Sequence, residues 1–224
     1  MTLAPELPGA MELVAEARRC GVVVATGHTE ATFDQARAAF AAGANLVTHL
    51  FNAMPPLDSR APGVVGAAVA PGGPCASIIV DGVHVHPANV ELAVRALGPQ
   101  RTVLVTDAMP PMGTDNTEGR LWDARLIVRG GACYLENGTL AGSILTMADA
   151  VRNVMAMANI PLADAVAMAS SSPARVLGID GRKGCLAPGM DADLIVCDDQ
   201  LDVLLTLVEG RVAYRSPSLQ RARL

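Results

Sequence analysis

The stretch VVVATGHTEATFDQARAAFAAGANLVTH, residues 22–49, is the part of the sequence that predicts the fold most directly. Its valines predict a strand at Val22–Ala25, and a polar Gly-His-Thr turn follows that strand. Thr29 is expected to cap the next helix, and Gly43 is expected to end it. A second apolar strand is predicted at Asn45–Thr48. The stretch is therefore one strand–helix–strand unit, as in parallel α/β folds.

The same alternation continues on both sides of this unit. Further strands are predicted at Ser77–Val80 and Thr102–Thr106, with a helix at Ala88–Ala96 between them, and a helix at Met11–Cys20 precedes the first strand. The strands are uncharged and rich in β-branched residues, which is typical of parallel strands buried on both faces. The order predicts an α/β fold, either a barrel or a doubly wound sheet.

After Asp107 the pattern changes to antiparallel β structure. Leu121–Val128 and Ala132–Leu135 are expected to form a hairpin through Arg129-Gly130-Gly131, followed by a turn at Glu136-Asn137-Gly138. Further on, helices are predicted at Thr146–Ala158 and Leu162–Ala169, and the chain is β-rich from Gly184 onward.

The composition limits the possible classes of protein. Hydrophobic residues make up 51% of the chain and charged residues 17%, a balance that indicates a folded core and not a disordered chain. The net charge is −5 and the 17 Lys and Arg residues form no basic run, so no nucleic-acid partner is expected. Prolines and glycines interrupt the longest charge-free stretches, so no membrane span is expected. The N-terminus lacks a secretory pattern, which predicts a cytoplasmic location.

Two histidines follow predicted strands at corresponding positions. His28 comes after VVVATG and His49 after ANLVT, about one strand–helix unit apart. Because parallel strands end at the same edge of a sheet, both side chains are expected at the edge where barrel enzymes build active sites. A single histidine here is more often a polar turn residue, but two on successive strand ends favour a site for a divalent metal ion.

Other polar residues lie at the same predicted edge. Asp107 follows the apolar strand TVLVT, which suits general acid/base catalysis, although an aspartate there could simply cap a turn. In the segment DGVHVHP, His84 is interpreted as a substrate contact and His86 as structural. Asn52 and Arg60 lie on a proline-bounded loop, where an arginine suits an anionic group such as phosphate.

Several segments together resemble the N-acetylglucosamine-6-phosphate deacetylase family of the amidohydrolase superfamily. The matching segments are TLAPE (2–6), GHTEATFDQA (27–36), THLFNAMPPLDSRAPGVVGAA (48–68), IIVDGVHVHP (78–87), VTDAM (105–109), ENGTLAGSILTM (136–147), SSPARVLGI (171–179) and GCLAPGMDADLIV (184–196). The resemblance covers essentially the whole chain, and the final segment is of a kind that many amidohydrolases share.

The resemblance implies a metal-dependent hydrolase that converts N-acetylglucosamine 6-phosphate to glucosamine 6-phosphate and acetate. His28 and His49 would bind the divalent ion, expected to be zinc, with iron, cobalt or manganese as alternatives. Asp107 would be the catalytic acid/base. The substrate contacts implied by the family are Asn52, Ala53, Arg60 (reaching in from a neighbouring subunit of a homodimer), His84, Leu140, Ala141, Gly142 and Ser143.

The resemblance also implies that this chain corresponds to the C-terminal part of the family. The expected fold is a partial (β/α)8 TIM-type barrel, about strands 4 to 8 with their helices, followed by a small β segment of an incomplete β-sandwich. The expected domains are residues 1–180, with a β-hairpin insertion near 120–136, and residues 181–224. One glutamate metal ligand and one substrate histidine of the family precede the part matched here, and Glu6 is not that glutamate.

Three functions remain open on the sequence. The first is sugar-phosphate deacetylation that requires the missing half. The second is hydrolysis of another amide by an amidohydrolase, and the third is a non-catalytic remnant that associates with itself through exposed strand edges.

Overall fold

A computed structural model describes residues 1–221 of the chain. Its central feature is a five-stranded parallel sheet in which the strands are neighbours in chain order. These strands are β1 (Thr2–Leu3), β2 (Ala25–Thr26), β3 (Leu46–Val47), β4 (Cys75–Ile78) and β5 (Thr102–Leu104). The predicted α/β class is thus confirmed. Among these five strands the order does not reverse, whereas a reversal defines a doubly wound sheet.

Helices connect the parallel strands and cover the sheet. They are α1 (Ala10–Arg19), α2 (Phe33–Ala42), α3 (Gly63–Val69) and α4 (Pro87–Leu97). The start of α2 differs from the prediction, because Thr32 and not Thr29 caps it. The Thr32 hydroxyl accepts the Gln35 backbone N–H, while the Gln35 side chain accepts the Thr32 N–H. Gly43 ends α2 in the left-handed conformation, as predicted.

A four-stranded antiparallel sheet follows β5, and it is larger than the predicted hairpin. It consists of β6 (Glu118–Leu121), β7 (Ala124–Arg129), β8 (Ala132–Leu135) and β9 (Leu140–Ser143). The segment predicted as one strand, Leu121–Val128, is divided by a turn at Trp122-Asp123, where Trp122 has a φ of 49° and its residue surface is 89% exposed. The Gly130-Gly131 turn between β7 and β8 is confirmed, with φ values of 57° and 87°.

The remaining chain contains helices and a second small sheet. Helices α5 (Met147–Ala158), α6 (Leu162–Ala169) and α7 (Ser171–Leu177) precede an antiparallel three-stranded sheet and α8 (Pro217–Arg221). The strands of that sheet are β10 (Leu194–Cys197), β11 (Val203–Val208) and β12 (Arg211–Arg215). Helices α3, α7 and α8 are additional to those that the sequence pattern predicted.

The main hydrophobic core lies between the parallel sheet and its helices. Its fully buried side chains include Val47 of β3, Val65 of α3, Ile78 of β4 and Val90 of α4. Helices α5 and α6 close the core with Val154 and Met168 among its members. Burial of this apolar surface fixes the sheet, and the sheet in turn fixes where the loops after each strand begin. Within residues 1–221, no helix is long and apolar enough to cross a membrane.

Candidate functional site

Three of the candidate residues share an unusual backbone conformation just beyond the parallel strands. His28, His49 and Asp107 have φ values of 49°, 33° and 49°. A positive φ is uncommon for residues other than glycine, and it is sustained only where the surrounding structure determines it. Each residue follows the carboxyl end of a strand of the same sheet, namely β2, β3 and β5. Such residues cluster at functional sites, so the conformation supports the sequence-based interpretation.

The structure brings the two histidines into direct contact. The Nε2 atoms of His28 and His49 lie 2.8 Å apart, and the ring centroids are 4.7 Å apart at an interplanar angle of 70°. One ring nitrogen must donate a hydrogen to the other in this arrangement, because a neutral imidazole has one donor and one acceptor nitrogen. The two Nε2 atoms are therefore directed at each other.

The surroundings of His49 favour a neutral ring. His49 is 8% exposed, and its backbone N–H donates to the Ser77 hydroxyl at 2.8 Å. Burial and then the adjacent His28 ring lower the pKa of His49, although the carboxylate of Asp107 acts in the opposite direction. A neutral imidazole is the form that binds metal ions. The Nδ1 atom of His49 is buried and has no hydrogen-bond partner among the described residues.

The histidine pair fits a divalent ion as two ligands of an incomplete set. The two Nε2 atoms lie close enough together to bind one ion, and imidazole nitrogen is a usual ligand of zinc, at about 2.0–2.1 Å. Catalytic zinc sites have three protein ligands. Within residues 1–221, no group of three or more His, Cys, Asp or Glu side chains could hold a metal ion. A third protein ligand is therefore not available in the described part of the chain.

Asp107 is joined to the predicted Leu140–Ser143 stretch, which forms strand β9. The Asp107 carbonyl accepts the Ser143 N–H at 2.9 Å, and the Ser143 hydroxyl donates to the Thr106 carbonyl. Gly142 has a φ of 145°, and a Cβ atom there would lie only 2.8 Å from the Asp107 carbonyl oxygen. The C-terminal end of β9 thus packs directly on the segment that carries Asp107. Leu140 and Ala141 form the first half of the same strand.

Glu6 has a supporting role that the sequence did not suggest. Its carboxylate accepts the Thr29 hydroxyl and, at 2.7 Å, the Glu30 backbone N–H. Thr29 also donates its backbone N–H to the Ala53 carbonyl at 3.0 Å. The loop that contains His28 is therefore held from both sides, by the loops after β1 and β3.

The predicted substrate residues after β3 differ in their contacts. The Asn52 side-chain amide donates to the His49 and Leu50 carbonyls, each at 3.3 Å. Ala53 has a φ of 49°, is exposed, and its backbone N–H has no acceptor among the described residues. Arg60 is exposed and lines a cleft of about 350 Å³ at the start of α2 and α3. Among residues 1–221, its guanidinium forms no ion pair.

His84 is paired with Asp81, a residue that the sequence reasoning missed. His84 Nδ1 lies 2.6 Å from Asp81 Oδ2, and the two side chains are 5% and 4% exposed. The other carboxylate oxygen, Oδ1, accepts the backbone N–H groups of Val83 and His84 at 2.9 and 2.8 Å. Burial alone would raise the pKa of Asp81, but the hydrogen bonds from His84 and the backbone outweigh it and lower that pKa. The signal in the sequence was the D-x-x-H spacing within one turn.

Comparison with known proteins agrees with this architecture. The chain shares 41% identity over 216 residues with N-acetylglucosamine-6-phosphate deacetylase from Lysinibacillus sphaericus, covering 96% of this chain and 56% of that protein. It shares 38% identity over 213 residues with N-acetylgalactosamine-6-phosphate deacetylase from Escherichia coli O157:H7, covering 95% and 56%. The crystal structure of N-acetylglucosamine-6-phosphate deacetylase from Pasteurella multocida superimposes with a TM-score of 0.90 at 36% identity, covering 94% and 55%.

The chain therefore spans about half the length of the relatives it matches. The model of the amidohydrolase family matches residues 4–213, nearly the whole chain. These matches agree with the α/β fold and its parallel sheet. The chain belongs to the amidohydrolase family.

Proposed function

We propose that this chain forms the acid/base and sugar-phosphate part of an N-acetylglucosamine-6-phosphate deacetylase. The observation that carries the proposal is the contact between His28 Nε2 and His49 Nε2 at 2.8 Å, on adjacent strand ends of the sheet that also presents Asp107. Identities of 36–41% to deacetylases of N-acetylated sugar phosphates support the choice of reaction. The reaction is hydrolysis of the acetamide, which releases acetate and the free amine.

In the proposed mechanism, Asp107 moves the proton that the reaction requires. The carboxylate removes a proton from the water that attacks the acetamide carbonyl carbon, and it returns that proton to nitrogen as the carbon–nitrogen bond breaks. A divalent ion held by His28 and His49, zinc in the first instance, would polarise the carbonyl and lower the pKa of water. Strand β9 supports Asp107 through the Ser143 N–H. His49 holds its ring neutral through burial, which keeps it available as a ligand.

The sugar phosphate is proposed to bind beside this centre. The free backbone N–H of exposed Ala53 is a suitable donor to a phosphate oxygen. Asn52, His84 and the stretch Leu140–Ser143 complete the proposed contacts. Arg60 forms no ion pair in its own described chain, which is consistent with a guanidinium that pairs with phosphate bound by a second subunit. This contact requires a homodimer, which we include in the proposal together with a cytoplasmic location.

We further propose that the parallel sheet is part of a (β/α)8 barrel, with residues 1–180 in that domain and residues 181–224 in a C-terminal β segment. The sequential strand order supports this, as does the TM-score of 0.90 to a deacetylase of which the chain covers 55%. Two histidines fall short of the three protein ligands usual for catalytic zinc. We therefore expect full activity only when a polypeptide corresponding to the rest of a relative supplies the missing ligand.

The test is acetate release from N-acetylglucosamine 6-phosphate with added zinc. The purified chain is assayed alone and after co-expression with the part of the Lysinibacillus sphaericus relative that it does not cover. We expect release only in the second case, and Asp107→Asn should lower the rate by about 10²–10⁴-fold. Asp180→Asn, an exposed aspartate, is the matched control. No release in either case would overturn the proposed function, and an active Asp107→Asn variant would overturn the role of Asp107.

The same assay addresses the sugar itself. The relatives include deacetylases named for N-acetylgalactosamine 6-phosphate, at 38–39% identity, so the epimeric substrate is a second candidate. Parallel measurements with both sugar phosphates assign the preferred one by the ratio of their kcat/KM values.

A further inference from the structure

Asp81 and His84 form a buried pair that the acid/base chemistry does not use. The loop that carries them leaves β4 and is anchored to α5, because the Asn153 side-chain amide donates to the Val80 carbonyl at 2.8 Å. Within the loop, every polar contact of the Asp81 carboxylate is directed at residues 83 and 84. A carboxylate that is 4% exposed and accepts three hydrogen bonds is a rigid support for the ring beside it.

The chemistry of the pair determines which ring nitrogen is available to a ligand. An ionised carboxylate has no hydrogen to give, so Nδ1 of His84 must be the donor in the 2.6 Å contact. The Nε2 atom makes no hydrogen bond with the described residues, and it is not among the side-chain atoms that are fully buried without a partner. Nε2 is consequently the nitrogen that remains free for a bound molecule.

We propose that Asp81 is a positioning residue that fixes the Nδ1 proton and the orientation of His84, so that the unprotonated Nε2 is presented as an acceptor to an O–H or N–H group of the amino-sugar phosphate. The identity of the ligand in this inference rests on the proposed function, whereas the tautomer of the His84 ring does not. Proteins commonly fix the tautomer of a functional histidine by a hydrogen bond from its other ring nitrogen to a carboxylate.

Substitution by asparagine separates positioning from simple structural support. In Asp81→Asn, the amide oxygen can still accept the backbone N–H groups of Val83 and His84, so the loop keeps those two bonds. The amide nitrogen replaces Oδ2 and donates, and Nδ1 of His84 must then become an acceptor. The proton is expected to move to Nε2. Asp81→Ala removes all three bonds, and Asp180→Asn serves as the exposed control.

The first measurement is the nitrogen chemical shift of the His84 ring by long-range proton–nitrogen NMR at about pH 9, where imidazoles are neutral. A His84→Gln variant assigns the signals. We expect Nδ1 to be protonated in the wild-type chain and in Asp180→Asn, and Nε2 to be protonated in Asp81→Asn. A wild-type ring protonated at Nε2, or the same tautomer in wild type and Asp81→Asn, would overturn the proposal without any reference to activity.

The second measurement is the affinity for glucosamine 6-phosphate, and inorganic phosphate, which lacks the hydroxyl and amino groups of the sugar, is the comparison probe. Loss of one hydrogen bond from the ligand to Nε2 corresponds to a decrease of about 2- to 10-fold in affinity for glucosamine 6-phosphate, which we expect for Asp81→Asn and for His84→Gln. The double variant should lose no more than His84→Gln alone, because Asp81 acts through His84. Fully additive losses would overturn the positioning role. A wild-type chain that binds neither probe counts against the proposed function, while the NMR result still decides the state of the ring.

Discussion

Replacing Ser77 by alanine tests whether the sheet holds His49 through one buried hydrogen bond. Ser77 is 4% exposed and accepts the His49 backbone N–H at 2.8 Å, while its hydroxyl donates to the Val47 carbonyl at 3.3 Å. In Ser77→Ala, the buried N–H of His49 loses its acceptor, which costs about 1–3 kcal/mol of unfolding free energy. For a chain of this length, about 2 kcal/mol corresponds to a decrease in Tm of about 4–8 °C.

Thermal and urea unfolding followed by far-ultraviolet circular dichroism measure this change. Ser59→Ala is the matched control, since Ser59 is exposed in the loop after β3 and should leave the unfolding free energy within about 0.5 kcal/mol of wild type. A Ser77→Ala variant as stable as Ser59→Ala would refute the reasoning, because it would mean that the N–H of His49 finds another acceptor at no cost.

Three further predictions concern the same edge of the sheet. Gly142→Ala should destabilise the chain by about 1–3 kcal/mol in urea unfolding, since its Cβ would lie 2.8 Å from the Asp107 carbonyl oxygen, whereas Gly181→Ala has open space and should be neutral. Because the pKa of His49 is lowered from 6.5 in the folded chain, stability should decline as pH falls below about 6.5, and His49→Gln should flatten that decline. Cobalt(II) affinity, measured by titration and visible absorption, should fall in His28→Ala. The decrease should exceed the roughly 10- to 100-fold that is typical when only a residue supporting a metal ligand is lost. His86→Asn, which keeps a capping side chain on α4, should bind cobalt as the wild type does. Equal cobalt affinity in wild type and His28→Ala, or a stability profile that is flat in wild type below pH 6.5, would contradict the assigned roles.

The sequence pattern predicted four of the five parallel strands, all but β1, and the positions of the two histidines, because these depend on local periodicity and on the common direction of the strands. It misplaced features that depend on side-chain geometry. The cap of α2 is an example, since Thr32 and Gln35 fit the capping-box spacing but Thr29 is the threonine nearer the strand. The Thr29 hydroxyl instead donates to the carboxylate of Glu6, which lies 23 residues away in sequence. No local pattern reveals that contact.

The Asp81–His84 pair escaped prediction for a similar reason. The spacing D-x-x-H is compatible with a simple exposed turn, and the burial of both side chains is not evident from it. The division of Leu121–Val128 into two strands depends on the turn at Trp122-Asp123, in a segment whose composition fits a continuous strand equally well. Local composition thus predicts the elements, whereas contacts between loops are set by the assembled sheet.

The turn at Trp122 also has a consequence for spectroscopy. Trp122 is the single tryptophan of the chain and its residue surface is 89% exposed. Its indole is already hydrated in the folded protein, so the emission wavelength should barely shift on denaturation. Trp122 fluorescence would therefore be almost insensitive to unfolding, including loss of the parallel core. A tryptophan introduced at Phe40, which packs against that core, would give the parallel sheet an optical signal of its own.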